Sequence, residues 1–114
     1  MSELQLTARF EIHPGALDRF KALAQSCLES VREKDSGTLQ YDWFFNKEQT
    51  VCVARERYAN SSAFLEHAGN LGNLLPALFE VSDFSAEVCG TPSDEVVKAI
   101  EGLDITYYRH FQSP

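Results

Sequence analysis

The sequence predicts one α+β domain built on an antiparallel sheet, and three observations lead to this fold class. Several segments alternate apolar and polar side chains, as half-buried strands do, and others repeat apolar residues every three or four positions, as amphipathic helices do. Short polar stretches with Gly, Pro or Asn separate these segments. The chain has 114 residues with 44% hydrophobic residues, which suits a single globular domain. We expect this domain to span residues 1–114.

The first half of the chain predicts a strand, a helix and a hairpin. Residues 4–13 alternate and form the first strand, which Pro14-Gly15 ends, with Pro14 suited to open a helix. Apolar residues from 17 to 31 then recur at helical spacing, and the helix ends near Asp35. The aromatic-rich residues 38–45 and the β-prone residues 50–58 predict two strands joined by a polar turn.

The second half repeats the pattern. A helix begins near Asn60 or Ser61, either of which could cap its N-terminus, and Gly72 and Pro76 indicate that it continues in two parts. Further elements complete the chain: a fourth strand at 82–90, a short helix at 93–101 capped by Ser93, and a terminal strand at 105–111.

This order is a split βαβ repeat, which predicts the ferredoxin-like fold with both main helices on one face of the sheet. The other face would expose apolar side chains such as Phe44, Val51 and Val53. Pairing two sheets face to face across a two-fold axis would bury them. We therefore expect a homodimer in the form of a dimeric α/β barrel, with the C-terminal residues 93–112 in the dimer contact and strand 105–111 reaching over the partner.

Charge and composition exclude several classes of function. Ten Lys and Arg against 17 Asp and Glu give a net charge of −7, which disfavours nucleic acid and anionic membrane partners. No apolar run approaches the ~20 residues that span a bilayer, and the N-terminus lacks the apolar core of a signal peptide, so a cytoplasmic protein is expected. The cysteines are expected to be buried free thiols, and the scattered histidines predict no metal site. The cysteines are Cys27, Cys52 and Cys89.

His67 is the leading candidate for a functional residue. It shares one helix stripe with Phe64 and Leu71, so these side chains are expected to point the same way. With an ordinary pKa near ~6.5, His67 could accept a phenolic proton at cellular pH. The alternative is a partly buried histidine satisfied by a neighbouring carbonyl or carboxylate.

Glu56 and Tyr58 share one face of the third strand. If this face meets the helices, a buried Glu56 needs a partner, because an unpaired buried charge is costly. Pairing with His67 would orient the imidazole and raise its basicity. The alternative is a structural ion pair with an arginine: Arg9, Arg55 or Arg57.

Tyr41 and Trp43 share one face of the second strand, together with Leu39 and Phe45. They either line a cleft that stacks on a flat substrate or pack in the core. The pattern leaves both interpretations open.

The chain resembles the antibiotic biosynthesis monooxygenase domain, including the quinol monooxygenases. The likeness covers residues 3–90 and rests on VREKDSGTLQYDWFFN followed by ARERYANSSAFLEHAGN. The matching residues are Val31, Arg32, Gly37, Tyr41, Glu56, Tyr58, Ala63, Phe64 and His67. Asp35 departs from the family pattern, which usually has a small residue or proline there, and we assign it no role.

The resemblance implies a dimeric α/β barrel that oxidises a small aromatic or quinol-like molecule with O₂, without metal, flavin or haem. His67 would act as the base and Glu56 as its support. The expected cleft lining is Tyr41, Trp43, Tyr58, Phe64 and Leu71. Two alternatives remain: an isomerase or other proton-transfer enzyme on the same fold, and a dimer without turnover that binds a small ligand or serves in a stress response.

Overall fold

A computed structural model describes residues 3–114 as four helices and five strands. In chain order these are β1 (Leu4–Ile12), α1 (Leu17–Lys34), β2 (Thr38–Phe45), β3 (Val51–Tyr58), α2 (Ser61–Leu71), α3 (Leu74–Val81), β4 (Ser82–Cys89), α4 (Asp94–Ala99) and β5 (Ile105–Tyr108).

The strands form one sheet in the order β2-β3-β1-β4-β5. The first four pair antiparallel, which confirms the predicted α+β ferredoxin-like fold. The fifth strand, which is expected to reach over a partner, joins the same sheet instead and pairs parallel to β4. The intervening helix α4 returns the chain to the end of the sheet where β4 began, and this geometry requires a parallel pair.

Strand β5 also differs from its prediction in length and place. It ends at Tyr108 instead of residue 111, and it extends the sheet of its own chain beside Ala86 to Cys89. Helix α4 buries Val96 against the same core. The C-terminal region is therefore part of this domain's own fold, and a contact between it and a second copy stays a prediction.

The core lies between the sheet and the helices. The central strand β1 buries alternate side chains, as its sequence pattern predicts. One cluster gathers around Phe10 and Phe20, and a second around Tyr58, Phe64 and Val96. The two clusters meet under α2, where the candidate site lies.

Local signals set most helix ends. The Asn60 side chain accepts a hydrogen bond from the Ala63 N–H at 2.9 Å and caps α2, and Ser93 caps α4 in the same way. Gly72 has φ +55° and separates α2 from α3, which confirms the two-part helix. Pro14, by contrast, lies in a turn before α1 and does not open the helix.

The second face of the sheet carries exposed apolar side chains. Phe44 is 56% exposed, and Leu39 is 51% exposed although alternation placed it with Tyr41 on the helix side. A register shift between Thr38 and Gln40 turns Leu39 outward.

Cysteine burial follows the prediction at two of three positions. Cys27 and Cys52 are buried free thiols, whereas Cys89 is a free thiol but exposed, because it lies on the outward side of β4. Among residues 3–114, no three His, Cys, Asp or Glu side chains form a group that could hold a metal ion. No helix in this part of the chain is long and apolar enough to cross a bilayer.

Candidate functional site

A cavity of about 50 Å³ lies between the sheet and α2. Most of the sequence-predicted site residues line it: Tyr41, Trp43, Glu56, Phe64, His67 and Leu71. It is smaller than the ~150 Å³ cavity that accommodates benzene in an engineered protein core. A substrate must therefore displace part of the wall on entry.

The C-terminal region forms part of this wall. Ile100, Leu103 and Ile105, from the end of α4 to the start of β5, line the cavity together with Phe64 and His67 on α2. Sequence periodicity did not reveal this, because the short α4 carries no extended apolar stripe.

His67 binds the carboxylate of Asp35. Its Nδ1 lies 2.8 Å from Oδ2 of Asp35, and the two side chains are only 4% and 1% exposed. Asp35 caps the C-terminus of α1, where its backbone leaves the helix in an extended conformation and turns the carboxylate toward α2. The partner of His67 is thus Asp35, and the predicted Glu56–His67 pair is wrong.

Three donors hold the Asp35 carboxylate. Thr38 Oγ1 donates to Oδ2 at 2.6 Å, and Asn70 Nδ2 donates to Oδ1 at 2.8 Å. Asn70 stands one turn after His67 on α2, so both reach the same carboxylate. Burial alone would raise the pKa of Asp35, but the hydrogen bonds from Thr38, Asn70 and His67 outweigh it and hold the pKa below its ordinary value. Asp35 is therefore ionised at neutral pH.

The Asp35 carboxylate sets the tautomer of His67. Burial lowers the pKa of His67 below its ordinary value, although Asp35 partly opposes this shift, so the imidazole is neutral at pH 7. An ionised carboxylate can only accept, so the Nδ1–H of His67 donates to Asp35 and Nε2 carries a lone pair. Nε2 makes no hydrogen bond within residues 3–114, which leaves it available on the cavity wall as a proton acceptor.

Glu56 is buried on the same wall but has a different partner. The Tyr58 hydroxyl donates to Glu56 Oε1 at 2.5 Å. The alternative of an arginine ion pair is also wrong: Arg57 binds Glu3, Arg9 binds Glu11 and the side chain of Arg55 is exposed, so none of the three pairs with Glu56. Burial without a cation raises the pKa of Glu56 to about 7, and the Tyr58 hydrogen bond only partly opposes this rise.

Tyr58 does not line the cavity, although it was predicted to. Its side chain is fully buried, with the ring packed edge-on against Phe64 at 5.4 Å between centroids. It acts on the site through its hydroxyl on Glu56, and its ring lies 5.0 Å from the His67 ring.

Two aromatic residues of β2 complete the wall. The Tyr41 ring lies edge-on to the His67 ring at 4.9 Å, and its Cα is opposite that of Glu56 in the sheet register. Trp43 stacks on Phe10 at 5.4 Å with an angle of 9° between the planes. Each residue therefore packs in the core with one part and lines the cavity with another.

Gly37 lets α2 approach β2 closely. A Cβ at Gly37 would lie 2.5 Å from the Cβ of Ala63, nearer than two side chains can stand. Ala63 is one turn before His67, so this contact sets how near the imidazole comes to Asp35 and the sheet.

The chain belongs to the antibiotic biosynthesis monooxygenase family. The family model matches residues 5–71, which include the Asp35–His67 pair, Glu56 and the aromatic residues of β2. The match ends at the last residue of α2. No curated protein matches the sequence.

Solved structures show the same fold. MupZ from Pseudomonas fluorescens matches with a TM-score of 0.85 and 23% identity, over 100% of this chain and 94% of its own. Rv0793 from Mycobacterium tuberculosis matches with a TM-score of 0.70 and 26% identity, over 82% of this chain and 97% of its own. An N63A mutant of SnoaB, a cofactor-independent oxygenase from Streptomyces nogalater, matches with a TM-score of 0.69 and 16% identity, over 82% of this chain and 96% of its own.

Proposed function

We propose that the protein is a cofactor-independent monooxygenase that oxidises a small aromatic or quinol-like molecule with O₂. Membership in the antibiotic biosynthesis monooxygenase family supports the class of reaction. The cofactor-independent oxygenase SnoaB has the same fold, and this supports a reaction without a metal or organic cofactor. The observation that carries the proposal is the free Nε2 of His67 in an apolar cavity, backed by Asp35.

The proposed reaction begins with a proton transfer. The substrate hydroxyl gives its proton to His67 Nε2, and the Asp35 carboxylate stabilises the imidazolium that forms. The resulting phenolate is electron-rich enough to pass an electron to O₂, after which oxygen adds to a ring carbon. Loss of water leaves one oxygen atom in the product and the other in the water. The apolar wall excludes bulk water and holds the ring in place.

We propose that the protein works as a homodimer formed through the open face of the sheet. Phe44 and Leu39 are both more than half exposed on the edge strand β2, as the dimer requires. The cavity lies on the opposite face, so each copy would hold its own site. A cytoplasmic location stays a prediction.

Oxygen uptake tests the proposed reaction. Metal-free protein should consume O₂ with at least one member of a panel of hydroquinones, anthrones and naphthols, with product formed in step. His67→Gln should lower the rate by about 100-fold or more, the usual share of a general base. His13→Gln is the matched control, since His13 also binds an aspartate but on the exposed surface.

Two results would count against the proposal. If the wild-type protein consumes no O₂ above the protein-free rate with any compound, the oxygenase assignment is wrong. If His67→Gln keeps the wild-type rate, the class survives but His67 is not the base.

A further inference from the structure

The two carboxyl oxygens of Glu56 have different surroundings. Oε1 accepts the hydroxyl hydrogen of Tyr58, whereas Oε2 has no hydrogen-bond partner within residues 3–114. Among residues 3–114, the one side-chain nitrogen or oxygen that is both fully buried and without a partner is Trp43 Nε1. Oε2 of Glu56 also lacks a partner, so it is not fully buried. Glu56 lines the cavity, so Oε2 is the oxygen that a bound molecule can reach.

Nothing near Glu56 neutralises a negative charge. The ionisable groups that interact with it are Tyr41 on β2, Tyr58 on β3 and Cys27 on α1. His67 on α2 lines the same cavity, and Asp35 at the end of α1 binds His67. Burial raises the pKa of both phenols and of the thiol, so these groups stay neutral. His67 is neutral and Asp35 is an anion.

Glu56 therefore holds a proton over a large part of the neutral pH range, as its pKa of about 7 requires. Because Tyr58 donates to Oε1, that proton resides on Oε2. The cavity wall then presents a donor, Glu56 Oε2–H, and an acceptor, His67 Nε2. Each has its own supporting partner, Tyr58 for the acid and Asp35 for the base.

We propose that Glu56 is a second catalytic residue, a proton donor that acts together with His67, and that the site enolises compact cyclic ketones without O₂. This inference shares the base His67 with the proposed oxygenase but does not need its oxidation step.

The reaction is balanced without an oxidant. His67 Nε2 removes a proton from the carbon next to the carbonyl, and that C–H electron pair becomes the C=C bond of the enol. Glu56 Oε2–H gives its proton to the carbonyl oxygen as the C=O π bond breaks. Reversal with a solvent-derived proton returns the ketone, so the measurable result is exchange of the carbon-bound hydrogen with solvent.

The wall chemistry defines the substrate class. The cavity is lined mainly by aromatic and aliphatic side chains, so the molecule should be flat and apolar apart from its one carbonyl group. Bicyclic ketones with a benzylic C–H beside the carbonyl, such as 2-indanone and 2-tetralone, meet these conditions and serve as probes.

Hydrogen exchange under strictly anaerobic conditions tests the inference. Wild-type protein in D₂O should accelerate deuterium incorporation next to the carbonyl of 2-indanone or 2-tetralone over the protein-free rate, as followed by NMR. Glu56→Gln keeps the size of the side chain and an oxygen for the Tyr58 hydroxyl but has no acidic proton, and it should lower kcat for exchange by about 100-fold. Glu80→Gln, an exposed glutamate on α3, should leave the rate unchanged.

The pH profile gives a readout that a purely structural role would not change. The exchange rate of the wild type should rise with pH as His67 loses its proton, at a pH below the ordinary pKa of histidine. It should fall again near pH 7, where Glu56 loses its proton. Glu56→Gln should lose the falling limb and keep the rising one. A folded Glu56→Gln protein, checked by circular dichroism, with wild-type rate and wild-type falling limb would overturn the inference.

The two proposals fail in different ways. Absence of exchange with both ketones, together with O₂ uptake on quinols, would overturn the proton-donor role and leave the oxygenase intact. Exchange without any O₂ uptake would overturn the oxygenase and support the inference.

Discussion

Asp35 and His67 are joined by a 2.8 Å hydrogen bond that connects the end of α1 to the middle of α2. Both side chains are almost completely buried, and 32 residues separate them in sequence. This bond fixes which imidazole nitrogen is free on the cavity wall, so changes at Asp35 should affect the chemistry of the site.

Asp35→Asn should lower the rate of O₂ uptake by about 100-fold, because a neutral amide neither stabilises the imidazolium nor fixes the tautomer. The Asp35 charge raises the pKa of His67, so its removal should move the rising limb of the pH–rate profile to lower pH. Steady-state rates across pH 4 to 9 measure both effects. Asp83→Asn, which alters the exposed Asp83–His13 pair, should change neither. An unshifted limb in Asp35→Asn would contradict the assigned pairing.

Glu56→Gln should make the protein more stable at pH 8 than the wild type. Burial raises the pKa of Glu56 from its ordinary 4.5 to about 7 in the folded protein. Between these two pH values the folded protein keeps the proton on Glu56, whereas the unfolded chain releases it. The contribution of Glu56 to stability is therefore fully present below pH 4.5 and is lost as the pH rises through the folded-state pKa of about 7. A rise of this size corresponds to about 3 kcal/mol in the free energy of unfolding. Urea unfolding should give a lower free energy of unfolding at pH 8 than at pH 5 for the wild type. Glu56→Gln should not show this decrease, whereas the control Glu80→Gln should show it as the wild type does.

Gly37→Ala should destabilise the protein by roughly 1–3 kcal/mol, because the added Cβ meets the Cβ of Ala63 and forces α2 away from the sheet. The displacement should also lengthen the Asp35–His67 contact and lower activity. Gly69→Ala is the matched control: it lies in α2 with open space around it and should stabilise the helix by about 0.5–1 kcal/mol. Thermal unfolding compares the two, and equal melting temperatures would show that the close approach is unimportant.

Phe44→Glu should convert the proposed dimer into a monomer, because a charge would replace an exposed aromatic ring on the face through which the two sheets are proposed to pair. Sedimentation should then give a mass near the 12.8 kDa of one chain. Ala22→Glu, on the outer side of α1, should leave the dimer intact. A wild-type protein that sediments as a monomer would disprove the dimer directly.

Periodicity predicted the fold well because each helix and strand of the core buries one face. It could not predict the orientation of β5, since alternation is the same for a parallel and an antiparallel strand. It also misplaced Leu39, because a register shift changes the side to which a residue points without changing the sequence pattern.

The candidate site was predicted only in part, because spacing gives the face on which a side chain lies but not its hydrogen-bond partner. Spacing placed His67, Phe64 and Leu71 on one helix stripe and Glu56 with Tyr58 on one strand face, and both placements are confirmed, since all five side chains are buried. The partners of these residues depend on where α1 ends against α2, which no local pattern encodes. One signal was present: Asp35 is an acid at the negative end of a helix, where the dipole disfavours it, and such a residue calls for a compensating donor.

Trp43 is the only tryptophan of the chain, and it lines the cavity while stacking on Phe10. The tryptophan fluorescence of the protein therefore originates at the candidate site. Its Nε1–H is buried without a partner, so a ligand that brings an acceptor or water to it would shift the emission to longer wavelength. Ligand binding can thus be followed in the unmodified protein, with no label and before any reaction is known.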